Sequence, residues 1–153
     1  MANNKNVKKL TYEYFKLRYD EAIKELDNME DFFRKKHRIN YIYFIQNNKT
    51  KDIYIGRSIY GVEYRFKQHV SSSKRIKSDV YNTPLSKALR KHGEESFTIG
   101  YLDCIVCHKH NFIKANDLEQ SYIKEVGTLY PNGYNISGLK GEKLKKWRNK
   151  NGK

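Results

Sequence analysis

Cysteine, proline, tryptophan and acid are all scarce in this chain, which has two cysteines, two prolines, one tryptophan and 17 acidic against 31 basic side chains in 153 residues. Two cysteines cannot build the multi-bridge framework of a small secreted domain. Cys104-Ile105-Val106-Cys107-His108 spells a haem-attachment motif and, with His110, half a zinc site. Haem attachment needs export, and Met1-Ala2-Asn3-Asn4-Lys5 lacks the apolar region of a signal peptide. Zinc needs four ligands at workable spacing. Both thiols therefore read as reduced side chains near the end of a strand, Phe97 to Val106. No apolar run approaches the ~20 residues that span a bilayer, so a soluble, cytoplasmic protein is expected. The shortage of acid leaves a formal net charge of +14, which makes a polyanion the leading class of partner. Charge alone does not separate DNA from RNA or from an anionic surface.

What the chain has in quantity is tyrosine, and two triplets, Tyr41-Ile42-Tyr43 and Tyr54-Ile55-Gly56, organise the reading. Tyr41 to Gln46 and Ile53 to Arg57 alternate in side and are rich in Tyr, Ile and Phe, and Asn47-Asn48-Lys49-Thr50 between them is turn chemistry. The pair reads as a β-hairpin with Tyr43 and Tyr54 on one face. A helix follows from Gly61 to Val70. Val62, Phe66 and Val70 repeat at i, i+4, i+8, and Arg65 and His69 fall beside that stripe, so both heads point toward the body of the domain. A later helix, Phe112 to Val126, buries Ala115, Leu118, Tyr122, Ile123 and Val126, with Glu119 on the same side. A carboxylate there needs a divalent metal or an arginine, because an isolated buried charge is too costly to leave unpaired. Gly93 reads as the stop of a helix containing Leu85 to His92. Pro131-Asn132-Gly133 turns the chain so that Tyr134 and Asn135 lie back on the domain.

In order and spacing these pieces resemble the GIY-YIG nuclease family, whose name describes two such triplets. Ten residues separate Tyr43 from Tyr54, Arg65 and His69 stand four apart after the second triplet, Glu119 lies in the last long helix, and Asn135 follows a Gly-Tyr pair. Tyr41 departs from the pattern, standing where the family has Gly. The resemblance implies an α/β fold, a small three-stranded, mainly antiparallel sheet flanked by helices. It also implies a phosphodiester-hydrolysing DNA endonuclease of the homing or phage-like type, with Glu119 holding Mg²⁺ or Mn²⁺, Arg65 on the scissile phosphate and Tyr43 as general base. Tyr54 and Arg57 are placed to orient or polarise that base, Asn135 to brace the site, and His69 is the other candidate acceptor. A binding module that has lost the chemistry and an RNA-directed nuclease are the rivals.

The expected organisation is an N-terminal helical extension over residues 1–40, a nuclease domain over 41–138 and a basic tail over 139–153. Thr11 is the expected cap of the first helix, whose apolar stripe runs from Tyr12 to Phe33 and is expected to pack on the sheet. Arg57, the cluster Lys74, Arg75 and Lys77, and Lys145, Lys146 and Arg148 in the tail are the candidate phosphate contacts. Cutting both strands of a duplex would suit a homodimer.

Overall fold

His37–Asn47 (β1) and Ile53–Ser58 (β2) form the antiparallel hairpin, and Phe97–His108 (β3) pairs antiparallel with the other side of β1, giving the order β2-β1-β3. The computed structural model describes residues 7–136. The candidate phosphate-binding residues of the tail, Lys145, Lys146 and Arg148, lie outside the described residues. The hairpin turn is set by Asn47, which is buried. Its Oδ1 accepts from the backbone of Lys49 at 2.9 Å and its amide donates to the Tyr134 hydroxyl at 3.0 Å. As the central strand, β1 is covered on both faces, which is why Ile42, Tyr43, Phe44 and Ile45 are all buried rather than alternating with polar residues.

On one face Tyr43 and Ile45 pack with Val62 and Val70 of α3 (Val62–Ser73) and with Leu85 and Leu89 of α4 (Pro84–His92). On the other, Ile42, Phe44, Ile53 and Ile55 pack with Ile123 of α5 (Ile113–Val126). The helix boundaries follow local chemistry. Thr83 accepts from the Ser86 amide ahead of Pro84, and Gly93 ends α4 at φ 81°. The Tyr101 hydroxyl accepts from the Val62 amide at 3.0 Å, which satisfies one orphan donor at the start of α3. Gly61 precedes that helix instead of opening it.

Two parts of the N-terminal expectation change. Helix α1 (Val7–Asp27) begins before Thr11, so that residue lies within the helix and does not cap it. After a short helix α2 (Asp31–Arg34) the chain is already strand at His37, because His37 to Asn40 find ladder partners in His108 to Ile105. Residues 37–40 thus belong to β1 and not to a helical extension. The stripe does pack on the sheet. Ala22 is buried with Cys104 and Val106, flanked by Phe15, Tyr19, Leu26 and Tyr41, whereas its end members Tyr12 and Phe33 are exposed.

This packing accounts for Tyr41. Its ring lies 5.3 Å from Tyr101 and 6.3 Å from Phe15, and Phe15 stacks on Tyr101 at 4.5 Å. A glycine at position 41 would remove the contacts that Phe15 and Tyr19 of α1 make with this ring. A polar lock completes the attachment. Asp103, 2% exposed, accepts from Arg18 Nε of α1 at 2.9 Å and from the Tyr122 hydroxyl of α5 at 2.9 Å. Both cysteines are free and buried in β3. Among the described residues no helix is long and apolar enough to cross a membrane.

Candidate active site

The register of the hairpin places Tyr43 opposite Gly56, and Tyr54 opposite Ile45, so the two tyrosines share a face with ring centroids 6.2 Å apart. Gly56 is required by close approach. A Cβ there would stand 2.4 Å from Cζ and Oη of Tyr43, so the phenol occupies the space that any other residue would fill. Tyr43 is fully buried, and its hydroxyl shares a hydrogen bond with His69 Nε2 at 3.0 Å. His69 also meets Tyr54 edge-on, with centroids 5.1 Å apart.

Burial disfavours the charged form of each group in this cluster. Desolvation raises the Tyr43 phenol above the ordinary tyrosine range, against the pull of the Arg65 charge. Tyr54 is pushed up by its own burial, with Tyr43 and Glu119 adding to the effect. His69 is lowered to about 4, first by burial and then by the Arg65 charge, so its imidazole is neutral at pH 7. The charges of Arg65 and Glu119 act on both tyrosine hydroxyls, so these groups border one site.

Arg65 and His69 sit one turn apart on α3, whose apolar stripe of Val62, Phe66 and Val70 against the core turns both heads inward. Arg65 Nη1 donates to Gln68 Oε1, while its Nε is buried without an acceptor. Glu119 comes from α5, held by Ala115 and Ile123 in the core on the same helix. Its side chain is 15% exposed, and burial raises its carboxyl above the usual range while Arg57 opposes that shift.

A metal or an arginine is the expected counter-charge for Glu119. The arginine in contact is Arg57, whose Nε stands 3.9 Å from Glu119 Oε2, and not Arg65. That Nε makes no hydrogen bond, and Arg57 Nη1 reaches Asn40 Oδ1 at 3.5 Å. Asn40, fully buried, is a site residue that the motifs do not reveal. An asparagine directly between Ile39 and the run Tyr41 to Ile45 is the available signal.

Asn135 braces the site from behind. Its side chain accepts from the Ile55 amide at 2.9 Å and donates to the Ile55 carbonyl at 2.8 Å, while Thr128 donates to it at 2.7 Å. With Tyr134 N donating to Ile53 O at 2.9 Å, this segment covers the outer edge of β2 at Ile53 and Ile55. Asn135 positions the second triplet through its backbone. Lys74, Arg75 and Lys77 are exposed after the end of α3 and do not line the cavity that Arg57 and Arg65 share.

Glu119 offers a half-buried carboxylate whose nearest cation is loosely held at 3.9 Å, and this suits a hard cation that keeps most of its waters. No group of three or more potential metal ligands lies among the described residues.

A model of the GIY-YIG catalytic domain matches residues 39–135. Two proteins of Invertebrate iridescent virus 6 are similar. Uncharacterized protein 019R is 35% identical over 103 residues, covering 67% of this chain and 35% of that one. Putative MSV199 domain-containing protein 146R is 33% identical over 92 residues, covering 60% and 35%. The chain thus matches about a third of the length of these curated relatives. Among solved structures, the catalytic domain of the homing endonuclease I-TevI superposes with a TM-score of 0.51 at 26% identity, covering 63% of this chain and 97% of that domain. A mutant of that domain gives a TM-score of 0.53 at 24% identity, covering 67% and 97%.

Proposed function

The chain belongs to the GIY-YIG family, and on that premise we propose that it is an endonuclease that hydrolyses phosphodiester bonds of DNA with the help of a divalent metal. The observation that carries this reading is the convergence of three chemically different groups. They are a hydrogen-bonded Tyr43–His69 pair, an arginine with a buried donor lacking an acceptor, and a half-buried carboxylate.

Each group has one task in the hydrolysis. Arg65 offers its planar donors to the scissile phosphate, where negative charge grows in the transition state. The orphaned Nε gains an acceptor there, which offsets the cost of burying it. Glu119 would hold Mg²⁺, or Mn²⁺ in its place. When bound, such a cation neutralises phosphate charge and favours ionisation of water.

His69 is neutral at pH 7 and partly exposed, so it has the capacity and the access to take the proton of the attacking water. Tyr43 is buried and raised, so it stays protonated in the resting protein and serves as the partner at Nε2 that orients the ring and stabilises the imidazolium. Tyr54, also raised, remains a hydrogen-bond donor for a phosphate oxygen. The water oxygen forms the new bond to phosphorus, its proton goes to His69, and the bond to the leaving oxygen breaks as that oxygen is protonated from solvent. At pH 7 His69 is in its proton-accepting form and Tyr43 is not, so His69 is the proposed acceptor.

The test is incubation of the pure protein with supercoiled plasmid and, separately, with a structured RNA, in Mg²⁺ and in EDTA. Nicked and linear plasmid only in Mg²⁺ is the expected result. Cleavage of RNA alone would overturn the substrate class, and undiminished cutting in EDTA would overturn the metal.

A further inference from the structure

Beside the hydrolytic groups lies a cavity of about 420 Å³, within the range of ligand pockets, of whose lining the chemistry above uses Arg65 alone. Its charged lining is entirely cationic: Arg38 from β1, Arg57 from β2, Arg65 from α3 and Lys109 just past β3. Glu119, 3.9 Å from Arg57, does not line the cavity. Two of the four cations carry a buried Nε with no acceptor. A single scissile phosphate on Arg65 leaves the hydrogen-bond capacity of Arg57 Nε unused, since Glu119 Oε2 at 3.9 Å balances its charge from beyond hydrogen-bond reach, so a second anionic group has a donor to meet.

The rest of the lining is Ser58, Ile59, Tyr60 and Phe112. Tyr60 is 56% exposed and Phe112 39% exposed, and the Arg57 guanidinium lies 5.3 Å from the Phe112 ring centroid. Exposed rings at the mouth of a cationic cavity match the two halves of a nucleotide, phosphate on the cations and base on the aromatics. Stacking of that kind requires the face of a base, which a paired duplex hides.

We propose that this cavity binds one unpaired nucleotide next to the scissile phosphate, its phosphate on Arg57, Arg38 and Lys109 and its base against Tyr60 and Phe112. The substrate preferred is then DNA with a bulge, fray or single-stranded step at the cleavage site. The inference rests on the reading of the chain as a DNA nuclease only for the identity of its ligand.

The test is binding without cleavage, by fluorescence anisotropy in EDTA, to a 20-base-pair duplex (about two helical turns) and to the same duplex carrying a central two-nucleotide bulge. Wild type should bind the bulged probe about tenfold tighter, the size expected of one stacked base. Phe112→Ala and Tyr60→Ala should each remove most of that preference, with Phe112→Leu as the second variant should Phe112→Ala unfold. Arg38→Gln and Lys109→Gln should weaken both probes and lower the log–log salt slope by about 0.9 each. Equal affinity of wild type for the two probes, or a preference untouched by both aromatic truncations, would overturn the proposal. Unchanged salt slopes would remove its phosphate half. A protein that shows the preference yet cuts no DNA in Mg²⁺ would refute the nuclease reading and leave the nucleotide pocket standing.

Discussion

Replacing Gly56 with alanine tests the contact on which the whole site is built. Gly56 does not have positive φ, so the backbone accepts alanine, and the effect comes from contact alone. The added Cβ would stand 2.4 Å from Cζ and Oη and 2.9 Å from Cε1 of Tyr43, where carbon pairs settle at about 3.5–4.0 Å. The ring must withdraw by about an ångström, and it has nowhere to go, because Tyr43 is fully buried among Ile45, Val62, Val70 and Leu85. Overpacking of this kind costs about 1–3 kcal/mol, and parting Oη from His69 adds about 1 kcal/mol. With a urea slope of about 1–2 kcal/mol per molar, the midpoint should fall by about 1–4 M. Cleavage should fall by about a hundredfold or more even under conditions where the variant is folded, since a misplacement of this size disrupts the alignment of catalytic groups. Urea unfolding followed by circular dichroism, with plasmid cleavage on the same sample, provides the assay. A Gly56→Ala protein with wild-type midpoint and wild-type rate would refute the reasoning.

Three further outcomes follow from other interactions. His69 has a folded-state value of about 4 against an ordinary 6.5, so between those limits the unfolded chain binds the extra proton and stability is lost as pH falls. From pH 7 to 4.5 this effect is worth about 2 kcal/mol, and His69→Gln should flatten the pH dependence of urea unfolding by that amount; an unchanged slope would place the depression elsewhere. Asp103→Ala strands Arg18 and the Tyr122 hydroxyl, and should cost about 2–4 kcal/mol, whereas a loss below about 0.5 kcal/mol, the size of an ordinary surface change, would mean the lock does not hold α1. Deleting residues 140–153, which carry Lys145, Lys146 and Arg148, should lower the salt slope of duplex binding by about 0.9 for each phosphate that the tail neutralises, while single-turnover cleavage at saturating protein survives. An unchanged slope would show that the tail does not touch DNA.

The sequence is most informative where the chemistry is local. Tyr43 and Tyr54 fall on one face because a strand alternates. Arg65 and His69 point inward because they stand beside the stripe of α3, and Glu119 lies beside Ala115 and Ile123 for the same reason. Thr83 and Gly93 bound their helix by short-range hydrogen bonds. What is not legible depends on partners far along the chain. Arg57 rather than Arg65 meets Glu119 because β2 and α5 converge there, and Asn40 supports Arg57 only once the hairpin closes. Strand conformation at His37 depends on β3, 71 residues away in the pair His37–His108. The role of Tyr41 is invisible until α1 lies across it. Thr11 has the side chain of a good cap, but α1 starts earlier, at Val7.

The central claim is that Arg65 and Glu119 act on the transition state and not on affinity. Single-turnover cleavage by Arg65→Ala and Glu119→Gln at saturating protein, with duplex binding measured alongside, tests it most directly. Each variant should bind within a few-fold of wild type and cleave at least about a thousandfold more slowly, the size of effect expected when a transition-state interaction is removed. Near-wild-type cleavage by either variant, or a drop in rate fully explained by weaker binding, would contradict it.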